Sequence, residues 1–444
     1  MNRSAVVLSL LATLASGSFL GTGQTLPAAA GPPGGGDGRG TNILVVGIDS
    51  RSGLSAAEKR RLHVGGKGCN CTDVMMLVHL SRDRRRASIV SVPRDSYVEY
   101  AGISPARRGK INGAYALGGA AETVRTVEKA TGLHVDHYLE TGFTGFEQAV
   151  DNLGGATVCT DKPLKDENSG LDIAAGTHRT DGNQTLRYVR ARHIDRPGDL
   201  GRVRRQQRTV ADLLARLRAE GALSGPFGAA RTARELLKSV RTDANTGLDD
   251  LVRIGRALGR LSGERVEFAT VPIAVFDHRV PGVGSTLLWD PARSAALWEA
   301  LREDRPITGD TRIQPVPQTP ARTNPAGIAV RVDDAAVAAA LRRNGFVVTD
   351  TSPSAPSVRP DGPPVIRYAA GREDDAATLA AALPGSRLQV VAGQPRHFEV
   401  AVGTRPVTVR TVTYDRNTAE GAPVTSDRLS CAGARHHQAA PQRW

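Results

Sequence analysis

From Thr41 onward, short uninterrupted apolar runs alternate with turn-forming residues: NILVVGI (42–48), VMMLVHL (74–80) and SIVSV (88–92). Apolar runs of this length read as buried strands. Between and after them the apolar positions change to helical spacing. INGAYALGGAAETVRTVEKATG (111–132) predicts a helix stopped by Gly132, and FTGFEQAVDNLGG (143–155) one that ends on a Gly pair. RVRRQQRTVADLLARLRAEG (202–221) opens on a basic turn and continues as a long amphipathic helix. Strands interleaved with helices predict an α/β domain over residues 41–304. A Pro- and Thr-rich stretch at 305–326 reads as a linker. After it the strand, helix, strand alternation returns twice, in GIAVRV, DAAVAAALRRNGF and FVVTD, then in PPVIRYAAG, DDAATLAAALPG and LQVVAG. That predicts a small α/β domain over 327–412, followed by a polar tail at 413–444.

The start of the chain follows a different pattern. Arg3 precedes an apolar run from Ala5 to Leu20 that is broken by Ser and Thr, and Ala28-Ala29-Ala30 supplies small residues of the type signal peptidase accepts. Residues 1–30 therefore read as a signal peptide or an N-terminal membrane anchor, and the Gly/Pro-rich residues 31–40 as a flexible linker. Either alternative places the folded domains outside the cytoplasm, at the outer leaflet of the cytoplasmic membrane or in the wall. In such an oxidising compartment Cys69, Cys71, Cys159 and Cys431 can form disulfides. The pairing expected is Cys159 with Cys69 or Cys71. A lone Cys-Asn-Cys is a weak zinc signal, because structural zinc sites need a second ligand pair.

Composition sharpens the reading. The 444 residues are 40% hydrophobic, which suits globular domains, with 58 Lys+Arg against 45 Asp+Glu and a formal net charge of +13. Only seven of the basic residues are Lys, so guanidinium, with its planar fork for phosphate, dominates the charge. The densest cluster is LRYVRARHIDRPGDLGRVRRQQR, carrying Arg187, Arg190, Arg192, Arg196, Arg202, Arg204, Arg205 and Arg208 against only Asp195 and Asp199. Several fixed guanidiniums suit a pyrophosphate. Asp49, Asp73 and the Pro93-Arg94-Asp95 triplet stand at the ends of predicted strands, where open α/β sheets bind ligands. Carboxylates beside a phosphate imply a bridging divalent cation held through oxygens. A nucleic-acid reading of the cluster conflicts with the export signal and with the lack of an aromatic single-strand platform or zinc finger. The chain also has no G-x-S-x-G elbow and no H-E-x-x-H, and Gly109-Lys110 lacks the rest of a P-loop.

NILVVGIDSR, CTDVMMLVHL, SIVSVPRDSYV, GKINGAY, VDHYLETGFTGFEQAVDNLGG and YVRARHIDRPGDLGRVRRQQR, in this order, resemble the LytR-CpsA-Psr family of cell-envelope enzymes. The later module is similar to the LytR C-terminal domain. The resemblance implies an α-β-α sandwich with a mixed sheet flanked by helices. It implies transfer of a glycopolymer from a polyprenyl pyrophosphate carrier to peptidoglycan through a phosphodiester, with Mg²⁺, or Mn²⁺ in its place, and with pyrophosphate hydrolysis when water enters. Carried over by motif, Asp49 and Asp73 would hold the metal. Arg94, Lys110, Arg190, Arg192, Arg202 and Gln206 would bind the pyrophosphate, and Asp199 would be the base. Phe143, Phe146 and Leu139 would line a groove for the lipid chain. Cys71 departs from the family, where many relatives carry Arg before Ser-Asp. The rival class is an envelope protein that binds such lipids or wall polymer without catalysis.

Overall fold

The structure is a computed structural model and describes residues 25–26, 40–51, 53–65, 68–192, 194, 198–222, 225–315, 319–351, 362–403, 407–413 and 420–431. The apolar segment near the N-terminus, most of the Gly/Pro linker, Asp195, Arg196 and the last 13 residues lie outside this set. Two compact units result. The first holds residues 1–194, 202–314 and 421–444, and the second residues 195–201 and 315–420.

The first unit is organised around an eight-stranded mixed sheet. Its strands are β1 (Thr25–Leu26), β2 (Thr41–Ile48), β3 (Thr72–Leu80), β4 (Ala87–Ser91), β5 (His137–Thr141), β6 (Arg241–Asp243), β7 (Val266–Thr270) and β8 (Val424–Thr425), in the spatial order β1-β6-β5-β2-β3-β4-β7-β8. Each of the three apolar runs forms a strand. β2 pairs antiparallel with β3 and parallel with β5, and β4 pairs antiparallel with β3 and parallel with β7.

Helices cover both faces because the central strands are apolar on both. Leu44, Val46 and Leu77 pack with Val124 and Val127 of α2 (Gly113–Thr131) and Leu297 and Leu301 of α8 (Pro291–Arg302). Ile43, Met76 and Ile89 pack on the other face against Ala211 of α5 (Gly198–Ala219) and Ala257 of α7 (Leu248–Arg260). The remaining helices are α1 (Ala56–Arg61), α3 (Phe143–Asn152), α4 (Gly182–Arg190) and α6 (Gly225–Leu237). Gly132 ends α2 at φ 67°, a left-handed conformation that costs glycine little.

Two stretches differ from the sequence reading. Ile307 and Ile313, inside the stretch read as linker, are buried in the first unit's core, and the Ile307 and Thr308 amides donate to the buried Glu267 carboxylate. The Pro-rich composition concealed two core positions and a carboxylate needing donors. Residues 424–431, read as part of a polar tail, add edge strand β8 and a four-residue helix.

The second unit contains a five-stranded sheet in the order 347–350, 329–332, 398–401, 365–368, 387–390, with helices Ala335–Arg343 and Glu373–Ala382. Its own core includes Val330, Leu341, Ile366, Leu379 and Phe398.

Candidate active site

Antiparallel pairing of β2 with β3 places the end of one strand beside the start of the other. Asp49 follows β2, and its amide donates to the Cys71 carbonyl at 2.9 Å. Asp73 is the second residue of β3. The register that pairs Ile48 with Thr72 therefore puts both carboxylates on one rim of the sheet. The loop before Asp73 is closed by a disulfide between Cys69 and Cys71, and Cys69 Sγ lies 4.0 Å from Asp49 Oδ2.

The second disulfide joins Cys159 to Cys431, so the expected bond from Cys159 to Cys69 or Cys71 is corrected. The cause is the ordered C-terminal segment. Its Cys431 amide donates to Asp212 Oδ1 of α5 at 3.0 Å, which holds that cysteine next to Cys159, and Cys69 and Cys71 bond to each other. All four cysteines are bonded, and none is left for zinc.

Each rim carboxylate meets a guanidinium. Arg51 engages Asp49 through two bonds, Nε to Oδ1 at 2.7 Å and Nη2 to Oδ2 at 2.8 Å. Arg94 donates from Nη1 to Asp73, and its Nε stands 3.6 Å from Asp95. Lys110 Nζ reaches Asp95 at 2.8 Å. Short strands Tyr97–Glu99 and Arg108–Lys110 pair antiparallel and carry Lys110 to this place, while the Asn112 amide donates to the Arg94 carbonyl.

The other cations come from α4, α5 and the turn between them. Asp181 caps α4 by accepting from the Gln184 amide at 2.7 Å, which fixes where that helix starts. At its far end Arg190 donates to the Leu62 carbonyl at 2.7 Å and lies over the Phe143 ring, 4.9 Å from its centroid. The Arg192 amide donates to Asp166 Oδ2 at 2.8 Å. Arg205 donates to the Tyr188 carbonyl at 3.2 Å and to the Ala191 carbonyl, so this arginine ties the end of α4 to α5. Arg202 and Gln206 are both buried on α5, with Gln206 Nε2 donating to the Val189 carbonyl at 3.2 Å.

Asp73, Arg190 and Arg51 act on one another electrostatically. Burial pushes the Asp73 carboxyl up, but Arg202, Arg94 and Arg192 outweigh it and hold Asp73 below the usual carboxylate range. Burial lowers the Arg190 guanidinium, opposed by Asp73 and Asp49. Arg51 is raised by its hydrogen bonds to Asp49, with Asp73 contributing.

The structure thus gathers Asp49, Asp73, Arg94, Lys110, Arg190, Arg192, Arg202 and Gln206. Asp199 stands in the first turn of α5, within the segment 195–201 that belongs to the second unit. Arg187 is not a site residue: it donates to the Gly170 and Arg61 carbonyls at 3.0 and 3.3 Å. Arg51 and Asp95 are additions to the sequence-derived set. Both lie within the quoted strand-end motifs, and their signal is an opposite charge adjacent or two residues away.

Below the charged rim lies an apolar cavity of about 160 Å³. Asp73, Arg190, Arg202 and Gln206 border it, and Val74, Met76, Phe143, Phe146, Leu186, Val189, Val210 and Leu213 form its walls. Leu139 does not; it packs against the core cluster of Ile43 and Phe268.

Two carboxylates form an oxygen-only donor set, which suits Mg²⁺, an ion that commonly takes one or two protein carboxylates and completes its shell with water and phosphate oxygens. Among the described residues no group of three or more His, Cys, Asp or Glu side chains is arranged for a metal.

The LytR_cpsA_psr family profile matches residues 34–303, and that of the LytR cell envelope-related transcriptional attenuator matches 333–409. The chain is 39% identical over 265 residues to the probable cell wall biosynthesis protein LcpB of Corynebacterium glutamicum, covering 59% of this chain and 61% of that protein, less than two thirds of its length. It is 28% identical over 482 residues to the cell wall biosynthesis protein LcpA of the same organism, covering 97% and 90%. Among solved structures, protein gbs0355 from Streptococcus agalactiae shares the fold with a TM-score of 0.50 and 21% identity, over 60% of this chain and 89% of that one.

Proposed function

The chain belongs to the LytR-CpsA-Psr family, and we propose that it transfers a glycopolymer from a polyprenyl pyrophosphate carrier to peptidoglycan as a phosphodiester. One observation carries this reading: an apolar cavity opens directly beneath a rim of guanidiniums and carboxylates. A ligand that fits both parts has a hydrocarbon joined to a multiply charged phosphate group. Phe143, Phe146, Val210 and Leu213 take the hydrocarbon by excluding water from it.

At the rim, Arg94, Arg190, Arg192 and Arg202 bind the pyrophosphate oxygens, and Lys110 and Gln206 stand beside them. A hydroxyl of the acceptor sugar attacks the phosphorus next to the glycan. Its new P–O bond forms as the bond to the distal phosphate breaks, and polyprenyl phosphate leaves with the electron pair. The guanidiniums stabilise the charge that moves onto this leaving group, where preorganised donors are most effective. Asp199 is the candidate acceptor of the hydroxyl proton. Asp49 and Asp73 are the residues that would hold Mg²⁺, which when bound neutralises phosphate charge. Water in place of the sugar hydroxyl gives pyrophosphate hydrolysis.

Incubation of the full chain with a short-chain polyprenyl pyrophosphate glycan, with Mg²⁺ or with chelator, tests the reading. Release of polyprenyl monophosphate that stops on chelation is the expected result. Bound but intact donor under every condition would instead favour a lipid-binding protein without catalysis.

A further inference from the structure

The opposite end of the same sheet carries a second concentration of arginine. β3 is nine residues long, so the turn after it lies roughly 30 Å from Asp73. This turn holds Arg84 and Arg85, and it faces Arg253, Arg256 and Arg260 on α7 and Arg265 just before β7. Together they line a cavity of about 790 Å³ whose one acidic wall residue is Asp83. Asp83 is occupied by the Ser81 hydroxyl at 2.7 Å, and Arg253 by Asp250. Arg84, Arg256, Arg260 and Arg265 make no side-chain hydrogen bond or ion pair among the described residues. Self-repulsion on this scale is unfavourable unless an anion answers it.

Two further observations indicate what the anion belongs to. Phe227 is 88% exposed in the first turn of α6. α6 and α7 pack on one another and are joined through the short β6. Arg218, near the end of α5, donates to the Leu261 carbonyl in the same cavity wall at 2.9 Å, and the Ala222 carbonyl just before α6 accepts from Thr232 at 3.0 Å. The end of α5, which leads into α6, thus joins the wall of the arginine cavity, and a basic cluster with an exposed aromatic on a neighbouring element is the composition of an interfacial contact. The second observation is where the chain enters. Gly40 sits against this turn so closely that a side chain there would meet the Leu80 carbonyl at 2.6 Å, and it follows the linker from the apolar residues 5–20.

We propose that this arginine-lined end of the first unit docks on an anionic bilayer surface, with Arg84, Arg85, Arg256, Arg260 and Arg265 binding lipid phosphates and Phe227 entering the interface. The inference goes beyond the transfer reading, and its test is separate from turnover.

The full chain with Phe227→Trp is mixed with brominated phosphatidylcholine vesicles, with and without phosphatidylglycerol, and quenching is compared with the chain that keeps Phe227. The N-terminal segment and the rest of the surface are common to all variants, so the readout is the change that each substitution makes in the difference between the two vesicle types. Quenching at position 227 rises with phosphatidylglycerol. Arg256→Gln with Arg260→Gln lowers the anionic partition by roughly 30-fold, at about fivefold per arginine. The corresponding Lys pair restores it, because charge matters here and the planar fork does not. All variants keep the wild-type unfolding temperature and the wild-type rate on a soluble short-chain donor. Equal partition onto neutral and anionic vesicles, or an unquenched Trp at 227, overturns the proposal. So does a soluble polyphosphate that binds in an arginine-dependent way while vesicles are not distinguished, which would make the occupant a polyanionic chain.

Discussion

Arg94 sits between two carboxylates, donating to Asp73 and lying 3.6 Å from Asp95, and its position depends on both. Its planar fork is the feature a pyrophosphate needs, so Arg94→Ala lowers kcat by about 10²- to 10³-fold, the usual loss for one preorganised donor. Arg94→Lys recovers only part of it. The side chain is only partly buried, and both variants keep the wild-type unfolding free energy within about 1 kcal/mol. Another residue sets a pH dependence. Burial pushes the Asp212 carboxyl up to about 6, against the Cys431 amide and Arg208. A raised carboxyl means that the fold favours the neutral form, so the contribution of this group to stability is greatest below about pH 4 and falls as pH rises toward 6. Asp212→Asn removes this slope. Thermal unfolding across that range shows the variant equal to wild type at low pH and more stable above pH 6, by up to about 3 kcal/mol. Individual site residues were legible in the sequence where an acid or base ended an apolar run, as Asp49, Asp73 and Arg94 do. Asp95 was legible only as part of the Pro93-Arg94-Asp95 triplet, and Arg51 was given no role, because the bonds from Asp95 to Lys110 and from Arg51 to Asp49 depend on strand pairing and turn geometry.

The long helix α5 joins the two parts of the site: Arg202 and Gln206 reach the charged rim, while Val210 and Leu213, one and two turns on, line the apolar wall. This spacing follows from the 3.6-residue helical repeat. Filling the wall separates the two functions. Val210→Trp raises KM for a long-chain donor about tenfold, or ~1.4 kcal/mol of lost apolar contact, and raises it less for a short-chain donor that fills less of the cavity. Steady-state kinetics with donors of two chain lengths checks it, and an equal effect on both would place the hydrocarbon elsewhere. Helix identities were readable from periodicity and glycine stops, as in α2 and α3. The cavity was only half readable: Phe143 and Phe146 line it and Leu139 does not, because a residue's facing depends on strand register that apolarity alone does not reveal.

At the scale of the molecule, the strand order gathers the ends of β2 and β4 and the start of β3 at one rim, while the turn after β3 and the end of α7 carry a second basic surface at the other. The general architecture was legible from alternating strands and helices, and the family from its ordered motifs. The burial of Ile307 and Ile313 and the tie from Cys431 to Cys159 were not, since both depend on contacts between segments far apart in sequence. The central claim concerns a covalent product. The measurement that tests it most directly is mass spectrometry of muramidase-digested peptidoglycan after incubation with the full chain, Mg²⁺ and a polyprenyl pyrophosphate glycan. The account predicts muropeptides heavier by one glycan plus one phosphate group, present with wild type and absent with Arg94→Ala. Unmodified muropeptides alongside intact donor would contradict it.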